Sequence, residues 1–276
     1  MHRHRQLKRT LLFLLVLFIV IFLNLPVIVT VLNSFKATTA ILSETNIIPS
    51  QPTLENYERV SQQTPYWTWF KNSMIVTGGA TLLCILSATL AGYALSRFRL
   101  VLLTVYSRSL LMLQTFPLIL ALIPLFILFR DLKLVNTYLG PILIYAVAQL
   151  PFATWMFKSF FDAIPKELEE AAVIDGCSQI KAFRLIVLPL SGPAIAAVTI
   201  FAFLFVYNEF FIANIFLRKE ELMTIPVGIQ MFIQQFGADW GSLMAAATLA
   251  MLPTLIFFMF VEKYIVHLAV GGAVKG

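Results

Sequence analysis

Charge is what this sequence lacks. Asp, Glu, Lys and Arg make up only 12% of its 276 residues, against about a quarter in an ordinary soluble domain. Six stretches hold none of them: 10–35, 72–96, 109–129, 134–157, 185–208 and 240–261. With 59% hydrophobic residues and a mean hydropathy of +0.86, the chain has more apolar surface than one water-facing core can hide. Each uncharged stretch exceeds the roughly 20 residues that a helix needs to cross a hydrocarbon layer about 30 Å thick. The expected fold is all-α: a polytopic membrane protein with six transmembrane helices, a single domain over residues 1–276. The intervals between the stretches are too short for a separate soluble domain.

Other absences exclude most chemistry. No GxxxxGK[ST] phosphate loop, HExxH or CxxC occurs, and the three histidines are His2, His4 and His267. The sequence therefore assigns no catalytic residue, no metal ligand and no cofactor of its own. A membrane enzyme would need His, Asp, Glu or Cys converging at one depth. A secondary transporter would show charged pairs within its spans or paired broken helices. Neither pattern is visible. Cys84 falls in the second apolar stretch and Cys177 in a loop, at different depths, so both read as small apolar residues rather than a disulfide.

Residues 10–35 are too long for the core of a cleaved signal, and Phe35-Lys36 stands where small residues would be needed, so the stretch reads as a retained helix. Placing the amino terminus in the cytoplasm puts 13 lysines and arginines on that side and seven on the other, which favours both termini inside. The net charge of +6 then reflects topology and anionic lipid headgroups, with no nucleic-acid partner implied. Residues 36–71, with Pro49, Pro52 and Pro65, suit an ordered external loop. Tyr66, Trp67, Trp69, Trp155 and Trp240 read as interfacial anchors, and Gly78-Gly79 as a place of close helix packing. The segment from Arg218 to Asp239 is too short and too punctuated for a seventh span and reads as a re-entrant or interfacial helix.

The most charged internal stretch, Lys158 to Arg184, predicts two short cytoplasmic helices. Asp162 or a residue after it can cap the first, Pro165 suits its first turn, and Glu167, Glu169 and Glu170 lie near the positive end of its dipole. A helix over 165–175 follows. Gly176 supplies the positive φ that ends it, and Ser178 caps a second helix leading to Leu188-Pro189. On the first helix Leu168, Ala171, Ala172 and Asp175 form a mostly small apolar strip, fit either to dock a partner or to pack against its own bundle.

Glu170-Ala171-Ala172, three residues, Gly176, nine residues, then Ile186-Val187-Leu188-Pro189 reproduces the EAA–G–I-x-LP pattern of permeases of the ATP-binding-cassette importers, which this chain resembles. Tyr207-Asn208-Glu209-Phe210 is similar to the WNEF of the carbohydrate branch, with Tyr in place of Trp, and the tail Gly272-Ala273-Val274-Lys275-Gly276 resembles that of its six-helix, MalG-like members. The resemblance implies that residues 165–180 hold a coupling helix seated in a cytoplasmic ATPase subunit. Glu170 would pair with a basic residue of that subunit, Ala171 and Ala172 would be contacts, and Gly176 would set the angle of the helix pair. Asp175, Leu188 and Pro189 belong to the same coupling region, and Ala273, Val274, Lys275 and Gly276 would add a second contact. ATP and Mg would be bound by the ATPase subunits alone. The implied partners are a second homologous permease, two ATPase copies and an external solute-binding protein, in a bacterial inner membrane. The implied solute is a sugar or sugar derivative. A glycerol-phosphate diester, an amino acid or phosphate is the alternative. Tyr207, Asn208, Glu209 and Phe210 are candidates for the translocation path or its gate, with a plain helix-end charge as the other reading of Glu209.

Overall fold

A computed structural model describes residues 2–234 and 239–273, and every regular element among them is helical. In chain order these are α1 (His2–Ser34), α2 (Thr38–Ser43), α3 (Glu55–Gln63), α4 (Tyr66–Arg97), α5 (Val101–Thr115), α6 (Leu118–Asp131), α7 (Leu139–Asp162), α8 (Glu167–Ile174) and α9 (Gln179–Ala182). A π turn (Phe183–Val187) then leads into α10 (Leu188–Leu190), α11 (Gly192–Tyr207), α12 (Phe211–Phe216), a 3-10 turn (Glu220–Leu222), α13 (Ile225–Ile229), α14 (Met231–Gln234) and α15 (Trp240–Ala273).

Four helices are long and apolar enough to cross a membrane unaided: Lys8–Ser34 of α1, α4, α7, and Trp240–Phe260 of α15. Two further candidates are bent pairs, α5 with α6 at 104° and Gln179–Leu190 with α11 at 72°, and six spans result when each pair counts as one. The expected count stands on that basis, but two boundaries change. Window 109–129 straddles the first bend, because Pro117 offers no N–H and pushes Phe116 into extended backbone (φ −84°, ψ 123°). Window 185–208 straddles the second, so the straight apolar helix begins at Gly192-Pro193 rather than at 185. An uncharged window reports depth in the bilayer and is blind to direction.

The chain divides into two compact units, one of residues 1–67 and 229–252, the other of residues 68–228 and 253–276. In the first, polar side chains on α1 return their hydrogen bonds to its own backbone, as an apolar surround demands: Asn24 donates to the Val20 carbonyl at 2.8 Å and Thr30 to that of Pro26 at 2.9 Å. Below α1, the Asn56 amide donates to the carbonyls of Ser34 (2.8 Å) and Lys36 (2.7 Å), fixing the exit of the chain. Gly241 leaves room for this arrangement, since a Cβ there would fall 2.3 Å from Oδ1 of the Asn56 side chain.

Asp239 begins α15 in the same unit. Its carboxylate accepts from the Thr38 hydroxyl (2.7 Å), Arg59 Nη1 (2.9 Å), and the Ser242 backbone N–H (3.1 Å) and hydroxyl (2.6 Å). Burial alone would raise its pKa, but the bonds from Ser242, Thr38 and Arg59 outweigh it and hold the group at about 2, below the ordinary 3.8. A carboxylate with a lowered folded pKa contributes stability that is complete above the ordinary value and vanishes as pH falls through the folded one. The stability gap between wild type and Asp239→Asn should therefore be widest above about pH 5 and close as pH falls from about 4 to about 2. Thermal unfolding of the solubilised protein over that range checks this.

The second unit is organised by α4, α7 and α11. One cluster gathers Cys84, Ala88, Ala153, Phe157, Phe161, Phe183, Val187, Ala194 and Val198. Another gathers Val76, Ala80, Leu122, Ile144, Tyr145, Val206, Ile212 and Phe216. Small residues bring α4 and α7 together: a Cβ on Gly92 would lie 2.7 Å from the Phe157 Cβ, 3.0 Å from the Lys158 nitrogen and 3.1 Å from the Thr154 carbonyl oxygen. Of the expected Gly78-Gly79 contact only Gly79 takes part, against Ile142, while Gly78 faces open space.

The expected row of interfacial aromatics, which opens α4, is corrected as well. Trp67 is exposed, but Tyr66 and Trp69 are fully buried. Trp69 packs where Gly228 has no side chain, its ring 2.2 Å from the place a Cβ would take. The segment from Arg218 onward is tied to α4 by Asn72, which donates to the carbonyls of Glu221 (2.9 Å) and Met223 (2.8 Å) and accepts from the Tyr138 hydroxyl (2.6 Å). Ser73 accepts from the Ile225 N–H at 2.8 Å, so this segment is ordered by polar groups at one end of α4.

Candidate functional site

The stretch after α7 folds into the expected pair of short helices. Gly176 adopts φ +87°, a conformation nearly free for glycine and costly for other residues. The Cys177 N–H closes on the Ala172 carbonyl at 2.9 Å, completing the helix stop. Ser178 caps α9, its hydroxyl accepting from the Lys181 N–H at 3.3 Å. The first cap differs from expectation. Asp162 is the last residue of α7, bound by Lys158 Nζ and the Ser96 hydroxyl, both at 2.6 Å, and Lys166 precedes α8 without a side-chain cap.

Helix α8 has two opposed faces. Glu169 points inward and is buried, whereas Glu167, Glu170, Ala171 and Ile174 point out. At 100° per residue these four positions share one side, with Glu169 on the other. Ile174 is 85% exposed, and across the Gly176 turn Ile180 is 74% exposed. Ala172 is half-buried, Asp175 and Gly176 are exposed, and among the described residues Glu170 pairs with none. The expected strip through Leu168 and Asp175 thus runs along the flank of a face centred on Ala171 and Ile174.

The inward side holds what the sequence did not single out. Glu169 accepts from Arg97 Nε at 2.6 Å and from the Tyr93 hydroxyl at 2.6 Å. Arg97 also donates to the carbonyls of Phe161 (2.9 Å) and Ile164 (3.1 Å). Its side chain is only 7% exposed and that of Glu169 12%. Breaking so shielded a pair by removing one partner costs about 3–5 kcal/mol, because the other charge stays buried. The ring of Tyr93 packs on Phe183 (centroids 4.5 Å) and Phe161 (6.0 Å), so the same residue supports the π turn after α9. The available signal was the triple glutamate: a helix with acids at 167, 169 and 170 must turn at least one of them inward.

Residues 80–268 match the family described as the binding-protein-dependent transport system inner membrane component. The chain belongs to that family. It is 36% identical to the trehalose/maltose transport system permease protein MalG of Thermococcus litoralis, over 99% of both chains. It is 37% identical to the sulfoquinovosyl glycerol transport system permease protein SmoH of Agrobacterium fabrum, over 83% of this chain and 80% of that one. The diacetylchitobiose uptake system permease protein DasC of Streptomyces coelicolor is 32% identical over 94% and 95%. Among solved structures, a chain of a bacterial transporter that imports the acidic polysaccharide alginate superposes with a TM-score of 0.82, covering 95% of this chain and 98% of that one at 22% identity, a likeness of fold. The protein is thus an ABC-importer permease subunit, an inner-membrane component that works with other parts of a transport complex.

The permease's second motif is a reversal of the chain. Tyr207 ends α11 and is buried, Asn208 is exposed and returns its amide to the Leu204 carbonyl at 2.8 Å, and Phe210 is half-buried. Glu209 accepts from the N–H groups of Phe211 (2.8 Å) and Ile212 (3.0 Å) at the start of α12 and from the Tyr145 hydroxyl (2.6 Å). Its carboxylate caps the start of α12 and holds the hydroxyl of a buried tyrosine. Ala273 closes α15, and Val274, Lys275 and Gly276 lie outside the described residues, as do the side chains of the whole tail. Gln114 lines an apolar cavity of about 500 Å³ together with Phe116, Leu125, Phe129, Ile144 and Phe205, beside the α5–α6 bend.

Proposed function

We propose that this permease forms half of the translocation path of an ATP-driven importer for a sugar or sugar derivative, with both termini cytoplasmic in a bacterial inner membrane. The solute class is supported by relatives whose names specify trehalose or maltose, sulfoquinovosyl glycerol and diacetylchitobiose. None of these three names specifies a glycerol-phosphate diester or an amino acid. The rest of the complex is a second homologous permease, two ATPase copies that bind ATP and Mg, and an external solute-binding protein. This chain carries no ATPase site.

The observation that carries the coupling role is the outward face of α8. Two isoleucines left almost bare on either side of a glycine turn, beside a Glu170 that pairs with none of the described residues, make a small knob whose burial elsewhere would be favourable. Covering one isoleucine contributes about 1.5–3 kcal/mol. Ala171 and Ala172 let a partner's backbone approach, and Glu170 presents a charge for a basic residue there. Closure of the ATPase pair draws the knob along and re-aims the helices rooted in it, alternating access to the path.

Ile174→Asp or Ala171→Trp, both at surface positions, should leave the permease in the membrane at wild-type level while lowering co-purification of the ATPase subunits at least about tenfold, the equivalent of about 1.4 kcal/mol. Undiminished co-purification with both variants would remove the docking role. Mass spectrometry of what the co-purified external binding protein retains should find a saccharide. An amino acid there would overturn the solute class.

A further inference from the structure

We propose that Arg97 is the positioning residue through which displacement of α8 reaches the membrane-spanning α4, with Tyr93 as its second grip. The proposal rests on the coupling reading above. Helix α8 is flanked by turns at both ends, with residues 163–166 before it and Asp175 to Ser178 after it, so its covalent connections are pivots rather than levers. What fixes its orientation is the inward carboxylate. Glu169 Oε1 takes Arg97 Nε and Oε2 takes the Tyr93 hydroxyl, so each carboxylate oxygen is held by a different residue of the last turn and a half of α4. Two further N–H bonds run from Arg97 to Phe161 in α7 and Ile164 beyond it. A single guanidinium therefore joins α4, the end of α7 and α8, and its planar fork is what lets one side chain reach three acceptors in fixed directions.

The bonds lie on the side of α8 opposite the exposed Ile174 face, where force would enter. A push on that face is delivered to α4 only if this connection holds. Without it α8 would tilt on its two turns while α4 stayed behind.

The test uses the assembled complex, with its second permease and ATPase subunits, in lipid nanodiscs. Cys84→Ala and Cys177→Ser remove this chain's native thiols, and spin labels are placed at Val173→Cys, on the flank of α8 away from the docking face, and at Arg99→Cys, just past the end of α4, both exposed. The wild-type label separation should keep one narrow distribution with or without Mg-ATP and vanadate. Arg97→Met should broaden it at least twofold, and only when nucleotide is trapped. Arg97→Lys should fail to restore it, and exchanging the charges with Arg97→Glu and Glu169→Arg should recover part of the loss. Tyr93→Phe keeps the ring and removes one hydroxyl, so it guards against misfolding of the buried-charge variant. A smaller broadening with the same nucleotide dependence is expected from it. Narrow distributions in both variants, or broadening that ignores nucleotide, would overturn the proposal while the coupling reading stands. Failure of any ATPase subunit to co-purify with wild type would overturn both.

Discussion

Gly92→Leu is expected to prevent α4 from closing onto α7 and to leave little folded permease. Even the first atom of any side chain is too much: an alanine Cβ would sit 2.7 Å from the Phe157 Cβ and 3.0–3.1 Å from backbone atoms of Lys158 and Thr154. A flexible side chain could swing away, but a helix backbone cannot. Replacing glycine by alanine inside a helix gains up to about 1 kcal/mol from backbone propensity, whereas inserting carbon into a filled contact costs about 1–3 kcal/mol. The clash is with main chain, so the cost wins and Gly92→Ala should lower the unfolding temperature, with leucine far worse. Gly78, on the same helix with nothing within 4 Å, is the control of opposite sign: Gly78→Ala should be neutral or stabilising. Thermal unfolding of the detergent-solubilised variants measures the contrast. Equal effects at the two positions would contradict the close approach of α4 and α7.

Glu209→Ala should be the next most damaging change. It removes the acceptor for two N–H groups that open α12, a loss of about 1 kcal/mol typical of a cap. It also strands the hydroxyl of the fully buried Tyr145, at about 1–3 kcal/mol for an unsatisfied buried donor. A total of about 2–4 kcal/mol is a large share of the roughly 5–15 kcal/mol by which a domain is stable. Glu209→Gln retains one acceptor oxygen and should lose less. Because part of the damage is the stranded hydroxyl, adding Tyr145→Phe to Glu209→Ala should recover some stability, and a double-mutant cycle by thermal unfolding reads that coupling directly. Strict additivity would show that the two groups do not depend on each other.

The sequence was most legible where physics leaves local marks. Long uncharged windows marked apolar helices, Gly176 marked a left-handed turn and Ser178 a cap, and the structure has each of these. It was least legible where meaning depends on contact. Trp69 looks like an interfacial anchor until Gly228 supplies a slot for its ring, and Gly92 stands unremarked beside the more conspicuous Gly78-Gly79. Arg97 counted only as one more positive charge near the cytoplasm, since no spacing rule connects it to Glu169 across 72 residues. The motif alone presents Glu209 equally as a gate and as a helix-end charge. Its three donors reveal a structural duty that a lone acid in a motif cannot advertise.

The π turn at Phe183–Val187 has a bearing on how the coupling motif tolerates change. A π turn accommodates an extra residue by bonding one position further along than an α-helix does. Deleting a single residue there would let the ring tighten to ordinary helix with the downstream direction nearly kept, whereas inserting one more than the turn absorbs would swing everything downstream by about 100°. Leu188 and Pro189 would then face a different quadrant before the chain meets the bend at Gly192. The nine-residue interval after Gly176 is in this sense a compass setting with slack on one side only, and variants that lengthen it by one should point the following helix astray, whereas those that shorten it within the π turn should not.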